Sequence, residues 1–246
     1  NIFQHSSNQE SYLYQETKIF TLHNSKMVNG IKLQYFGLYG RGDPIRALLH
    51  YKQANFTDEV ITFEQWPQLK DSGDFPNGQL PVLEVDGTRM NQEDAILQFL
   101  GSRHGLLLHD ARGKYLIQYY LCATEDIYKV LYGKIFFGKT DQEKSEAKKN
   151  LLENMLPLYL ADFEKKFLEQ KGNETGWLVG GKATIADIKV VSNISAFFLH
   201  EDRKEDFYPV LIKNAPNLMK YVEEKISGDF GRYFGDASKR PAYPFQ

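Results

Sequence analysis

The sequence predicts an α/β domain followed by an all-helical domain. Three observations support this fold class: a strand-like alternation over residues 31–36, an Asp-Gly hairpin signal at positions 86–87, and helical periodicity without a clear strand over residues 114–246. A chain of 246 residues is long enough for one large domain or two modest ones.

The first half of the α/β domain is predicted to be a βαβ unit. The stretch Ile31–Phe36 (IKLQYF) alternates apolar and polar residues as a half-buried strand does. A glycine loop follows, with Asp43 as the expected helix N-cap and Pro44 at the first helical position. Residues 58–63 (DEVITF) are expected to form the second strand.

The second half of this domain is predicted to be ββα. LPVLEV and TRM flank the dipeptide Asp86-Gly87, which is a strong signal for a two-residue hairpin. The stretch MNQEDAILQFL, residues 90–100, contains a helix that begins at its third or fourth residue. Two adjacent acids, Glu93 and Asp94, occupy the opening turn, where a negative charge stabilises a helix.

The glycine loop does not match a dinucleotide fingerprint. Gly37, Gly40 and Gly42 give the order GxxGxG rather than GxGxxG, and a hairpin stands where a further βαβ unit would be needed. The six histidines are scattered without metal-ligand spacing, and no GxSxG motif is present. The sequence therefore argues against Rossmann, metal-dependent and serine-hydrolase chemistry.

Composition limits the partners and the compartment. The formal net charge is −2, and Lys and Arg are spread along the chain, which argues against a nucleic-acid partner. Cys122 is the only cysteine, so no intramolecular disulfide can form, and a reducing compartment is expected: the cytoplasm, or an organelle if the N-terminus is processed. No apolar run approaches 18 residues, so we expect no membrane span.

Residues 1–26 read as an N-terminal extension. They contain acids and bases but no arginine, and they lack the apolar core of a signal peptide. A processed terminus, an expression scar and an interaction arm all remain open. The aromatic and apolar residues of the segment favour, slightly, an arm that docks on a protein partner: Phe3, Tyr12, Tyr14, Ile19 and Phe20.

Pro81 stands at the mouth of a predicted strand, where it cannot donate to a β-ladder. A cis peptide bond would suit it there and would turn the backbone groups of Leu80 outward, where they could bind an extended peptide. The alternative is a proline that merely starts an edge strand.

Four segments, in this order and spacing, resemble a cytosolic glutathione transferase, nearest to its sigma-like, tyrosine-dependent branch: YFGLYGRGDPIRALLHYKQANFTDEVI, QWPQLK, GQLPVLEVDG and TIADI. The resemblance covers roughly residues 27–246 and extends to the ending KRPAYPF. It implies a thioredoxin-like, glutathione-binding domain over residues 27–104 and an all-helical domain over residues 114–246 that offers a pocket to a small hydrophobic electrophile. It also implies a homodimer, glutathione as co-substrate and no metal.

The resemblance also assigns site residues. Tyr35 matches the catalytic tyrosine, whose neutral phenol would donate a hydrogen bond to the glutathione sulfur and stabilise the thiolate. Arg41 matches an arginine that supports this tyrosine. The other matches would hold the tripeptide: Trp66 and Lys70 at the glycyl end, Gln79 and Leu80 with Pro81 at the cysteinyl backbone, and Gln92 at the γ-glutamyl head.

Two departures from the family pattern concern the same end of the ligand. Glu93 stands where the family has a serine that receives the α-carboxylate of the γ-glutamyl head, so it is expected to repel that carboxylate and to compete for the helix N–H groups. Alternatively, Glu93 pairs with the ligand's ammonium. Cys122 aligns near the position where tyrosine-type relatives place an acid that meets this ammonium across the dimer.

Two further motifs concern folding. The stretch Thr184-Ile-Ala-Asp187 matches the capping box in the core of the family's helical domain. Phe75 is either a dimer-locking aromatic or an ordinary loop anchor. Two functional hypotheses follow: an enzyme that transfers the glutathione thiolate or catalyses a glutathione-dependent isomerisation, and a catalytically weak or inactive interaction protein that docks through residues 1–26.

Overall fold

The computed structural model describes residues 30–136, 138–170, 172–236 and 239. The N-terminal extension, residues 1–26, and nearly all of the KRPAYPF ending therefore lie outside the described residues.

The N-terminal part is a four-stranded mixed sheet with helices. Its strands lie in the order β2-β1-β3-β4, with β1 parallel to β2 and antiparallel to β3, and with β3 antiparallel to β4. Their bounds are β1 Ile31–Phe36, β2 Phe56–Ile61, β3 Val82–Val85 and β4 Thr88–Asn91. The helices are α1 Asp43–Tyr51, α2 Trp66–Asp71 and α3 Glu93–Arg103, and 3₁₀ turns lie at Gly40–Gly42 and Pro76–Gly78.

The predicted βαβ and ββα halves are confirmed, with two local corrections. Strand β2 begins at Phe56, two residues before the predicted start, because its pairing with β1 opens opposite Ile31. Asp43 is not the N-cap: Gly42 is, and Asp43 is the first residue of α1. The carboxylate of Asp43 is buried and accepts a hydrogen bond from the Tyr233 hydroxyl at 2.5 Å.

The predicted hairpin is also present. Asp86 and Gly87 have φ values of 51° and 78°, which is the positive-φ pair that a type I′ turn requires. Phe75 packs inside its own chain, with its ring 5.3 Å from that of Trp66 and the Arg89 guanidinium 5.0 Å above it. These contacts suit a loop anchor, and the alternative of a dimer-locking aromatic stays a prediction.

The remainder of the described chain is helical, as predicted. The helices are α4 Ala111–Val130, α5 Asp141–Asn150, α6 Leu156–Glu169, α7 Gly172–Thr175, α8 Ile185–Phe197, α9 Glu201–Asn214, α10 Pro216–Ser227 and α11 Gly231–Phe234, and π-helical turns lie at Leu131–Phe136 and Leu151–Met155. One face of α4 packs into the core: Tyr119 and Val130 are partly buried, and four residues of the same face are buried, namely Leu116, Tyr120, Ala123 and Ile127. Within the described ranges, no helix combines the length and apolar composition needed to cross a membrane.

Helix α8 is the centre of the helical part. Every one of its residues is buried, and it packs against α4 and against α1 of the sheet region. The predicted capping box at its start is confirmed, since the Thr184 N–H donates to the Asp187 carboxylate at 2.7 Å. Asp187 also accepts from the Leu178 N–H at 2.7 Å and from the Tyr221 hydroxyl at 2.6 Å, so it ties three segments together.

Helix α3 ends at Arg103 and α4 begins at Ala111. This gap falls where the sequence places the boundary between the two domains, although the division into residues 27–104 and 114–246 itself stays a prediction.

Candidate functional site

A pocket of about 450 Å³ opens where the carboxyl end of β1, the start of α3 and helix α4 meet. It gathers every site residue that the sequence predicted except Lys70, and adds Phe36, Gly78 and Glu125. The lining residues are Tyr35, Phe36, Arg41, Trp66, Gly78, Gln79, Leu80, Pro81, Gln92, Glu93 and Glu125.

Tyr35 presents a protonated hydroxyl to this pocket. The residue is the last but one of β1 and is only 5% exposed, and its hydroxyl oxygen accepts a hydrogen bond from the Arg41 backbone N–H at 3.1 Å. Burial raises the pKa of Tyr35 to about 12, and the negative charge of Glu93 adds to the rise, while the Arg41 N–H opposes it. The phenol is therefore neutral at physiological pH and can donate its proton to an anion.

The glycine loop wraps around the Tyr35 side chain. A Cβ atom at Gly42 would lie 2.3 Å from Tyr35 Cδ1, and one at Gly40 would lie 2.9 Å from the Tyr35 hydroxyl oxygen. Gly40 also has a φ of +56°, which side chains rarely adopt. The loop that fails the dinucleotide pattern is thus glycine-rich because it packs against the tyrosine.

Arg46, which the sequence analysis did not identify, binds the backbone of this loop. It is fully buried on α1, forms a two-point ion pair with Asp58 at 2.7 and 3.1 Å, and donates to the carbonyl groups of Leu38 and Phe36 at 3.0 and 3.1 Å. Its guanidinium lies 5.6 Å from the Tyr35 ring centroid. The signal for this role in the sequence is a single arginine on the apolar face of the predicted helix.

The Leu80–Pro81 peptide bond is cis, which is the first of the two alternatives that the sequence left open. Gln79 and Leu80 line the pocket directly before β3, and the Gln79 side chain accepts a hydrogen bond from Gln92 Nε2 at 2.8 Å. Gln79 and Gln92, which the resemblance assigns to neighbouring parts of the ligand, are therefore in direct contact.

Trp66 and Lys70 share helix α2 but not the same position relative to the pocket. Trp66 lines it, and its ring meets that of Phe36 edge-on at 5.9 Å. Lys70 is exposed and does not line the pocket; its stem passes beside Gly78, where an added Cβ would lie 3.3 Å from Lys70 Cγ. The structure therefore leaves Lys70 at the rim.

Glu93 is the most unusual residue of the site. It is 3% exposed, its Oε1 lies 2.7 Å from Lys189 Nζ, and its Oε2 lies 3.5 Å from Arg41 Nη1. Lys189, which is fully buried on α8, also lies 2.8 Å from Asp94 Oδ1. Burial raises the pKa of Glu93 to about 7; Asp94 raises it further, whereas Lys189 and Arg41 oppose the rise.

The expectation that Glu93 occupies the N–H groups of its own helix is wrong. Within the described residues its carboxylate makes no hydrogen bond to them, and the N-cap position, Gln92, has no side-chain cap either. The reason is that Lys189 and Arg41 lie within ion-pair distance of the carboxylate and offer full positive charges.

The expectation for Cys122 concerns a site formed across a dimer, so it stays a prediction. Cys122 is exposed outside this pocket, and the acid that α4 presents to it is Glu125, about one helical turn further on. Glu125 receives the Arg41 guanidinium in a two-point ion pair at 2.5 and 2.9 Å.

Comparison with known proteins agrees with this geometry. A family model described as "Glutathione S-transferase, C-terminal domain" matches residues 125–227. A glutathione S-transferase of Anopheles gambiae is 30% identical over 210 residues, which cover 85% of this chain and 96% of the mosquito protein. The chain belongs to the glutathione S-transferase family.

Two further proteins are similar to this chain over most of its length. A probable glutathione S-transferase of Caenorhabditis elegans is 32% identical over 219 residues, covering 79% of this chain and 96% of that protein. The solved structure of prostaglandin synthase D of Nilaparvata lugens is 27% identical, with a TM-score of 0.72 over 87% of this chain and 99% of that one. The predicted family and its two-part fold are confirmed; the sigma-like branch stays a prediction.

Proposed function

We propose that this member of the glutathione S-transferase family is an active glutathione transferase. It would bind glutathione in the 450 Å³ pocket and transfer the thiolate to a small hydrophobic electrophile. The sulfur would form the new bond to carbon, the leaving group would depart with its electron pair, and the thiol proton would pass to solvent. The observation that carries the proposal is the buried, neutral Tyr35 hydroxyl at the pocket wall.

The energetics suit this role for Tyr35. A free thiol titrates near pH 8.5, and lowering its pKa by about two units requires roughly 2.7 kcal/mol of differential stabilisation. A hydrogen bond to an ionised group contributes roughly 1.5–3 kcal/mol. One phenol donor in a site shielded from water can therefore supply much of the required stabilisation.

Charge complementarity supports one orientation of the tripeptide. Glutathione carries a lone carboxylate at its glycyl end and both an ammonium and a carboxylate at its γ-glutamyl head. The pocket has charges of both signs around Arg41, Glu93 and Glu125, whereas Lys70 is the charged residue at the rim beside Gly78. The head would therefore lie near Gln92 and Glu93, and the glycyl end near Trp66.

The test is conjugation of a generic aryl halide at millimolar glutathione. The Tyr35→Phe variant removes only the hydroxyl, and we expect turnover to fall roughly 10- to 100-fold, with a matching rise in the apparent pKa of the bound thiol. Tyr115→Phe is the control, because Tyr115 is 60% exposed and lies outside the pocket. The proposal would be wrong if the wild-type protein showed no conjugation, or if Tyr35→Phe left turnover unchanged.

Glutathione-dependent isomerisation would use the same thiolate and is favoured by the similarity to the Nilaparvata lugens prostaglandin synthase. The interaction-protein hypothesis rests on Glu93, Asp94 and residues 1–26. The extension lies outside the described residues, so its docking on a protein partner stays a prediction, as does the homodimer. Tight glutathione binding that survives deletion of the extension would count against the interaction-protein hypothesis.

A further inference from the structure

Carboxylates outnumber cations at the head end of the pocket. Glu93 and Glu125 line it with one guanidinium, that of Arg41, and Arg41 is held by both acids, at 3.5 and 2.5 Å. The second cation of the cluster, Lys189, is fully buried behind Glu93 and lies 2.7 Å from that residue and 2.8 Å from Asp94. Both cations are thus already paired with carboxylates of the chain.

The excess of carboxylates acts in opposite ways on the ammonium and the α-carboxylate of a γ-glutamyl head. With Glu93 ionised, three acids face two bases, so the cluster carries a net negative charge. An incoming ammonium is attracted to Glu93 and Glu125, whereas an incoming α-carboxylate meets two carboxylates and must compete with them for Arg41. Burial strengthens both effects, because Glu93 is only 3% exposed.

We propose that Glu93 makes this pocket select thiol peptides whose head group carries an ammonium but no ionised α-carboxylate, and that glutathione itself binds with uptake of one proton by Glu93. A protonated Glu93 removes one negative charge and becomes a hydrogen-bond donor to the ligand's carboxylate. The inference rests on the proposed binding of glutathione in this pocket, and it names the class of ligand that the pocket prefers above neutral pH.

Glu93 is surrounded by charged and titratable groups from several elements. The charged and titratable groups that face it come from every element packed around it: Tyr35 of β1, Arg41 of the turn before α1, Asp94 of α3, Glu125 and Tyr128 of α4, and Lys189 of α8. Burial raises the pKa of Tyr35 to about 12 and that of Tyr128 well above its ordinary value, so both phenols stay neutral between pH 6 and 8. Burial brings the pKa of Glu93 itself to about 7.

Two ligands isolate the α-carboxylate. S-methylglutathione keeps the whole head group, and S-methylation removes the thiol, so the ligand itself changes charge little between pH 6 and 8. Its counterpart, S-methyl-(4-aminobutyryl)-cysteinyl-glycine, lacks only the α-carboxylate and retains an ammonium. Calorimetric titration of both ligands at pH 6, 7 and 8, in two buffers of different ionisation enthalpy, gives the dissociation constants and the number of protons taken up.

For the wild-type protein we expect the dissociation constant of S-methylglutathione to rise about tenfold from pH 6 to pH 8, with close to one proton taken up at pH 8. The decarboxylated ligand should show no such rise and should bind about tenfold more tightly than S-methylglutathione at pH 8. Glu93→Gln should abolish both the pH dependence and this preference. Glu224→Gln, which changes an exposed acid outside the pocket, should retain them.

The outcomes separate the two proposals. If both ligands bind the wild-type protein with equal affinity at every pH, the selectivity is wrong while the proposed function stands. If neither ligand binds, both the proposed function and this inference are wrong. Should Glu93→Gln fail to fold, the pH series and the proton count of the wild-type protein still decide between these outcomes.

Discussion

Tyr35 must meet two requirements that oppose each other: its hydroxyl has to reach the pocket, and its ring has to be shielded from water. The chain meets the second with the backbone of Gly42 on one side and the Arg46 guanidinium nearby. It meets the first with the Arg41 N–H, which fixes the hydroxyl at 3.1 Å. The donor is thus positioned by the backbone of the glycine loop and by Arg46.

Gly42→Ala tests this shielding. The φ of Gly42 is −81°, so alanine fits the backbone, but its Cβ would lie 2.3 Å from Tyr35 Cδ1. We expect a loss of roughly 1–3 kcal/mol in the free energy of unfolding and a displaced Tyr35 with lower conjugation activity, measured by urea unfolding and by the aryl-halide assay. Gly181→Ala is the control, because its Cβ would meet nothing within 4 Å. Equal behaviour of the two variants would contradict the packing role.

Site residues that lie in motifs could be predicted from the sequence. Those whose direction depends on how helices pack in the folded chain could not. Tyr35 and Gln92 were predicted because they lie in segments that resemble the family's motifs, and both line the pocket. Glu125 was missed because the residue that α4 turns toward the pocket depends on how that helix docks. Lys70 was predicted to line the pocket, but its stem passes beside Gly78 instead.

At the scale of the element, the chain uses one helix-start motif in two environments. Asp187 at the start of α8 is fully buried and accepts hydrogen bonds from three segments. Glu143 at the start of α5 forms the corresponding capping box with Thr140, but it is exposed. Position in the fold, and not the motif, decides how much each box contributes.

Asp187→Ala and Glu143→Ala form a matched pair that measures this difference. Removing the buried carboxylate leaves the Tyr221 hydroxyl and the Leu178 N–H without this acceptor, so we expect a cost of roughly 3–5 kcal/mol. At α5, water can replace the lost acceptor, and the cost should be about 1 kcal/mol or less. Both values come from urea unfolding of the full chain, and similar costs for the two variants would show that burial does not set the contribution.

Elements were easier to predict than their limits. The alternation over β1 and the Asp86-Gly87 turn are local signals, and both appear in the structure. The start of β2 at Phe56 and the place of Asp43 inside α1 depend on partners elsewhere in the chain, namely Ile31 and Tyr233. Sequence patterns cannot supply these partners, because the pairings only exist once the chain has folded.

At the scale of the whole molecule, a buried ion cluster joins the sheet region to the helical region. Glu93 and Asp94 begin α3, and Lys189 lies in the middle of α8, 95 residues further along the chain than Asp94. A lysine inside a fully buried helix is costly to bury unless it is paired. Glu93 faces the pocket and also pairs with Lys189, so the ligand selection that we propose for it is coupled to stability.

This arrangement predicts a specific dependence of stability on pH. The ordinary pKa of a glutamate is 4.5, and that of Glu93 in the folded chain is about 7. The native state therefore holds the extra proton between these values, so its stabilising effect is complete below about pH 4.5 and is lost as the pH rises through 7. Relative to Glu93→Gln, which cannot titrate, the wild-type protein should lose roughly 2–3 kcal/mol of unfolding free energy between pH 5 and pH 8.

Urea unfolding of both proteins at pH 5, 6, 7 and 8 measures that difference directly, because all other titrating groups are common to the pair. The comparison also separates the two roles of Glu93, since it needs no ligand. A difference that stays constant with pH would mean that Lys189 and Arg41 hold Glu93 ionised throughout this range. In that case the head end of the pocket would keep its full negative charge, and proton uptake could not accompany the binding of glutathione.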